Sequence, residues 1–383
     1  MRFEFATAGR ILFGEGRARE LPEITRSLGR RPLVVRGSGD RFRALLAELE
    51  SSSLRLSELP IRGEPEVQTV EDGVELARRD GCDLVLAIGG GSVIDAGKAI
   101  AALLTNPGNP RQYLEVVGQG KPLTDDPLPV VAVPTTAGTG AEVTRNAVLG
   151  VPEQRVKVSL RSPRMLPVVA LVDPELTYSL PPDITASTGL DALTQCIEPF
   201  VTPQANPLTD AITREGMRRA ARSLQRAFED GGDREARRDM SIASLCGGLA
   251  LANAKLGAVH GIAGPLGGMT SVPHGVACAR LLPPVIETNL RALRAHAPGS
   301  PALARYEEVA RILTGRESAR AEEAAEWVAA LVEALGVPRL GTYGVDEEIS
   351  RAVIPRALRA SSMKGNPVEL TEEEIAGILA IAR

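Results

Sequence analysis

A chain of 383 residues with 44% hydrophobic content and a formal net charge of −4 is long enough for two domains that each bury a core. Its basic residues are scattered, which excludes the cationic tract that nucleic acid or a membrane surface demands, and no apolar run reaches the roughly 18 residues of a membrane span. The four cysteines, Cys82, Cys196, Cys246 and Cys278, form no CxxC pair and read as reduced, mostly buried thiols. The first residues, MRFEFATAGRILFGEG, lack the apolar core of a secretory leader, so a cytoplasmic protein with a small-molecule partner is expected.

Up to about residue 180, short apolar runs at 32–35, 84–88, 130–133 and 168–172 alternate with helical patterns. Runs of this kind are buried on both faces, which predicts a parallel, Rossmann-like α/β sheet with its ligand at the carboxyl ends of the strands. After the first run comes Gly37-Ser-Gly39, a broken GxGxxG with Phe42 in the third glycine place. The second run leads directly into Gly89-Gly-Gly-Ser-Val-Ile-Asp-Ala-Gly-Lys98 and then a helical segment. Glycines let the backbone turn and approach a ligand, and the helix N-terminus attracts a phosphate. Gly90, Gly91 and Ser92 are therefore candidate pyrophosphate contacts, and Asp95 is counted with them. Ser92 and Asp95 also fit a local capping box, and the two readings are compatible. The third run ends in Pro134-Thr-Thr-Ala-Gly-Thr-Gly140, where hydroxyl and amide donors suit ribose and phosphate oxygens.

The stiff Leu180-Pro-Pro182 step separates an α/β domain at 1–180 from a helical domain at 181–383. Beyond it, Leu, Ala and Arg recur at three- and four-residue spacing through 207–229, 236–256, 301–313, 319–335 and 345–361. Asp191 and Gln195, four apart, share one helix face. His260 lies in an apolar helical run, His274 follows a Gly-rich break, and His296 has no assigned role. A carboxylate and two imidazoles from separate segments make a three-ligand divalent site that leaves a position for substrate or water. The spacing leaves an alternative open, with Asp191 as a capping acid after Thr188 and both histidines as hydrogen-bonded core residues.

Taken in order, Ile11-Leu-Phe-Gly-Glu-Gly16, Gly89-Gly-Gly-Ser92, Pro134-Thr-Thr-Ala-Gly-Thr139, Asp191-Ala-Leu-Thr, Val259-His-Gly, Leu266-Gly-Gly268, Pro273-His-Gly-Val and Lys364-Gly-Asn-Pro367 resemble the iron-containing alcohol dehydrogenases. The resemblance covers nearly the whole chain. It implies the dehydroquinate synthase-like fold, with an N-terminal dinucleotide-binding domain, an all-α C-terminal domain, and cofactor and metal in a cleft between them. By this likeness Gly90, Gly91 and Ser92 hold the pyrophosphate, while Thr135, Thr136, Thr139, Thr144 and Lys157 line the rest of the cofactor site. Asp191, His260 and His274 take the catalytic metal positions, for Fe or Zn. The family usually has His where this chain has Gln195, whose carbonyl is a weaker fourth donor, and usually His where it has Gly264. Gly37, with Arg36 beside it, tolerates the 2'-phosphate of NADP, so NADP is favoured over NAD.

The expected activity is hydride transfer between NAD(P)(H) and a small alcohol or aldehyde, by a homodimer as in the family. Three alternatives compete with it: a metal-free keto-acid reductase of the maleylacetate type, a dehydroquinate-synthase-like lyase, and a nucleotide-binding protein without catalysis.

Overall fold

The computed structural model describes residues 1–39 and 41–383. The chain divides into two compact units: Ala6–Thr136 with Gly140–Thr177, and Tyr178–Arg383 with Met1–Phe5 and Ala137–Thr139.

The first unit runs β1 (Arg10–Phe13), α1 (Leu21–Leu28), β2 (Pro32–Gly37), α2 (Arg43–Ser51), β3 (Ser57–Ile61), α3 (Val67–Arg79), β4 (Leu84–Gly89), α4 (Gly91–Thr105), β5 (Val130–Pro134), β6 (Asn146–Val151), β7 (Val156–Arg161) and β8 (Val169–Val172). Among the described residues, six strands form one parallel sheet in the order β1-β8-β5-β4-β2-β3. Successive side chains of a strand point to opposite faces, and the core divides accordingly. Leu33, Val35 and Val85 pack with Val70, Val74 and Ile100 of α3 and α4. Val34, Leu84, Leu86 and Ile88 pack with Leu21, Ile24, Leu45 and Leu49 of α1 and α2. Helices thus cover both faces, and the expected Rossmann-like layering is present.

Three pieces of this unit carry a weaker sequence signal. β3 reads SELPI, with Pro60 tolerated because the strand lies at the sheet edge. β6 and β7 form a separate antiparallel hairpin whose inward residues Ala147, Leu149, Val151, Val158 and Leu160 join the α3/α4 side.

The second unit is helical: α5 (Pro182–Val201), α6 (Pro207–Glu229), α7 (Arg234–Asn253), α8 (Ala258–Met269), α9 (His274–His296), α10 (Pro301–Thr314), α11 (Glu322–Ala334), α12 (Glu347–Arg359) and α13 (Glu372–Ala382). It contains a continuous core from Ala137 to Ala382. α5 is buried along nearly its whole length and packs against α6, α7 and α9. α9 carries Pro283 and Pro284 internally, which hides its length from a periodicity reading. Among the described residues no single helix is long and apolar enough to cross a membrane.

Candidate functional site

In the α/β unit, β2 leads outward to β3 while β4 leads the other way to β5. The loops after β2 and β4 therefore leave adjacent strands at a topological switch point, where open α/β sheets place their ligands. Gly37 ends β2, and nothing lies within 4 Å of where a Cβ would stand. Arg36 beside it is held by Glu58 of β3 at 2.6 Å. After β4, Gly90 is the N-cap of the 15-residue α4, with no side-chain cap, so the helix dipole points at open backbone amides of Gly91 and Ser92. A Cβ at Gly90 would come within 3.3 Å of Thr136 Oγ1, so the absence of a side chain keeps this approach clear.

Ser92 sits inside the first turn, so the capping box with Asp95 does not form. Asp95 pairs instead with Lys98 at 3.0 Å and accepts from the Val148 amide at 3.0 Å, tying α4 to the β6–β7 hairpin. The remaining expected cofactor residues are distributed. Thr135 is buried, its amide donating to Gly89 O. Thr144 is buried and accepts from Lys98 Nζ at 3.0 Å. Lys157 pairs with Glu64. Thr139 belongs to the helical unit.

In the helical unit, Asp191 lies in the interior of α5 and is 2% exposed, which removes it from a capping role. His260 is on the first turn of α8 and His274 is the first residue of α9. Close backbone approaches bring these helices together. A Cβ at Gly275 would stand 2.4 Å from Ser187 O, so glycine lets α9 start against α5. α8 has no cap of its own; instead Asn366 Oδ1 accepts from the Ala258 amide at 3.2 Å and Glu198 Oε1 accepts from the Val259 amide at 2.7 Å.

The outcome is a cluster in which Asp191, His260, His274 and Cys278 each present one ligand atom, all within 4.8 Å of one another. His260 Nε2 is 3.3 Å and His274 Nε2 3.9 Å from Asp191 Oδ1. Glu198 Oε2 lies 2.6 Å from His260 Nδ1. A carboxylate there accepts a hydrogen bond from Nδ1–H, which turns Nε2 toward the cluster. Glu198 is seven residues after Asp191 on the same face of α5, a pairing that sequence spacing offers but that acquires meaning only once α8 is docked.

Gln195, expected to offer its carbonyl oxygen, turns its amide nitrogen to Gly138 O at 3.1 Å and to Asp191 Oδ2 at 3.3 Å. Both partners are acceptors, which fixes the amide orientation. Gly264 leaves open space, with nothing within 4 Å of a Cβ. His296 is exposed at the end of α9.

The electrostatics are those of a cation trap. Burial pushes the Asp191 carboxyl up, but the imidazoles of His260 and His274 outweigh it and hold the group below its ordinary range. Burial likewise opposes protonation of His260, yet Cys278, Glu198 and Asp191 together raise it well above the usual imidazole value. His274 is pushed up to about 9, chiefly by the Cys278 sulfur. Positive charge is strongly stabilised at the point where these side chains meet. Asp191 Oδ1 is buried without a hydrogen-bond partner, an arrangement that costs about 1–3 kcal/mol unless something fills it. A carboxylate oxygen and two imidazole nitrogens are a donor set suited to Fe or Zn, so the residues present fit a divalent ion.

Comparison with known proteins identifies the family. Residues 8–174 match the family model for iron-containing alcohol dehydrogenase, and residues 185–382 match that for the Fe-containing alcohol dehydrogenase family, C-terminal. The chain is 36% identical to alcohol dehydrogenase 4 of Schizosaccharomyces pombe over 380 residues, covering 97% of this chain and 87% of that protein. A solved structure of 1,3-propanediol oxidoreductase superposes with a TM-score of 0.92 at 33% identity, covering 100% of both chains. The sulfoacetaldehyde reductase of Bifidobacterium kashiwanohense, solved with NAD+, superposes at 0.87 with 30% identity, covering 100% of this chain and 99% of that one. These relatives favour a dehydrogenase over the lyase and the metal-free reductase. The chain belongs to the iron-containing alcohol dehydrogenase family and is an oxidoreductase acting on CH–OH groups.

Proposed function

We propose that this protein interconverts a small alcohol and its aldehyde with NAD(P)(H), using a divalent cation held by Asp191, His260 and His274. The observation that carries this reading is the buried, unpartnered Asp191 Oδ1 lying 3.3 and 3.9 Å from two imidazole Nε2 atoms. The name of the structural relative 1,3-propanediol oxidoreductase supports a short, hydroxyl-terminated substrate.

When bound, a divalent cation supplies Lewis acidity toward an alcohol or carbonyl oxygen, and the nicotinamide supplies or accepts the hydride. The chain contributes position and charge. Asp191 offers a buried anionic oxygen, and Glu198 holds the Nδ1 proton of His260 so that Nε2 stays available. Gln195 orients the other oxygen of Asp191, which limits rotation of the carboxylate. The His274 side chain is 35% exposed, so solvent and substrate reach the cluster from that side. No side chain at Gly264 shares in proton transfer. In the α/β unit, Gly90, Gly91 and Ser92 bind pyrophosphate through backbone amides at the start of α4, with Thr135 and Thr136 alongside; Asp95, Thr144 and Lys157, already engaged with Lys98, Val148 and Glu64, support the loop rather than touch the cofactor.

For cofactor choice, the open space at Gly37 admits the 2'-phosphate of NADP. Arg36 is partly neutralised by Glu58, so the preference for NADP over NAD is modest. The test is elemental analysis of protein purified without added metal, followed by NADPH oxidation with short aldehydes before and after chelation. Near one Fe or Zn per chain, with activity lost on chelation and restored by metal, supports the assignment. Undiminished reduction by metal-free protein overturns it.

A further inference from the structure

The geometry points to Cys278 as the fourth protein ligand of the cation, a soft sulfur donor standing in for the nitrogen donor absent at position 195. This rests on the reading that Asp191, His260 and His274 bind a divalent ion, and adds to it the ligand that decides which ion is preferred.

His274 and Cys278 are one turn apart on α9, so both side chains project from one helix face. Cys278 is fully buried, and its thiol is free of any disulfide. Its Sγ lies 3.7 Å from His260 Nε2 and 3.6 Å from His274 Nε2. A tetrahedron with bonds of about 2.0–2.1 Å to nitrogen or oxygen and about 2.3 Å to sulfur places neighbouring N and O atoms roughly 3.3 Å apart and neighbouring N and S atoms roughly 3.5 Å apart. The two sulfur edges and the 3.3 Å edge between His260 Nε2 and Asp191 Oδ1 match these values. The edge from His274 is longer, at 3.9 Å, and His274 is also the most exposed member of the group. Sulfur therefore lies at the spacing of a fourth donor from both imidazole nitrogens, and all four ligand atoms are within 4.8 Å of one another.

Gln195 does not compete for that corner. Its amide nitrogen is directed at Asp191 Oδ2 and Gly138 O, which makes it a positioning residue for the carboxylate. One thiolate among nitrogen and oxygen donors shifts selectivity toward Zn and Co and away from ions that prefer hard oxygen ligands.

Cobalt(II) loading of the intact, metal-stripped protein tests this independently of turnover. Visible d–d bands report occupation of a low-coordinate site, and a near-ultraviolet sulfur-to-cobalt charge-transfer band reports thiolate ligation. Wild type is expected to show both. Cys278→Ser is expected to keep the visible bands, lose the near-ultraviolet band and bind cobalt more weakly, by at least the roughly 10- to 100-fold associated with loss of an outer-shell partner. Gln195→Ala is expected to retain the near-ultraviolet band. Visible bands without the charge-transfer band in wild type would overturn sulfur ligation while leaving the three-ligand site standing; no cobalt spectrum at all would overturn both. Should Cys278→Ser fail to fold, X-ray absorption at the zinc edge of zinc-loaded wild type decides the matter, through the presence or absence of one sulfur at about 2.3 Å.

Discussion

Glu142 follows the Thr- and Gly-rich turn after β5 and is 2% exposed. Burial drives its carboxyl from an ordinary 4.5 up to about 7, against the lowering effects of its own backbone amide and of Lys98. The Lys98 ammonium is engaged elsewhere, with Ala141 O, Thr144 Oγ1 and Asp95, and so only partly offsets the desolvation. A folded-state pKa above the unfolded one means that the native protein holds this proton more tightly. The group therefore places no penalty on folding below about pH 4.5; the penalty grows as pH rises and is fully present above about pH 7. A shift of about 2.5 units corresponds to about 3 kcal/mol at the upper limit. Glu142→Gln removes the titration with little change of shape. Urea unfolding of the two proteins is expected to show an advantage for the variant of about 1 kcal/mol at pH 5, rising to about 3 kcal/mol at pH 8. An advantage independent of pH, or a variant less stable than wild type at pH 8, would refute the argument from burial.

Two other substitutions test the functional units separately. Glu198→Gln replaces the acceptor of the His260 Nδ1 proton and weakens the hold on the imidazole; metal affinity, measured by competition with a chromophoric chelator, is expected to fall roughly 10- to 100-fold, with the fold retained by circular dichroism. Glu58→Gln releases Arg36 at the end of β2. The ratio of kcat/KM for NADPH over NADH is expected to rise by up to about tenfold, equivalent to one charge-assisted hydrogen bond of ~1.5 kcal/mol. An unchanged ratio places the 2'-phosphate away from Arg36.

Much of the frame was legible from apolar runs alone, because β2, β4, β5 and β8 are covered on both faces and so contain little but Val, Leu, Ile and Ala. The step from Ile88 through three glycines into a helix was visible for the same reason: a change of period at a flexible point. β3 was less visible because an edge strand tolerates Pro60 and polar residues. The β6–β7 hairpin gives no comparable signal, since its buried residues alternate with partly exposed ones and lie beside the main sheet. Scarcity makes the three histidines conspicuous, and two of them, His260 and His274, converge with Asp191. Cys278 was also present at the correct spacing from His274, but a thiol packed into a core and a thiol facing a cation look alike in a sequence. What separates them is the placement of α5 and α8 against α9, which depends on contacts such as Gly275 on Ser187. Glu198 required the same information, because its partner lies 62 positions away.

The cluster draws one side chain from α5, one from α8 and two from α9. An ion held at this point would pin three helices that the chain connects only through α6, α7 and short turns, and binding free energy at such a joint would be folding free energy. The cohesion of the helical unit would then follow mineral supply.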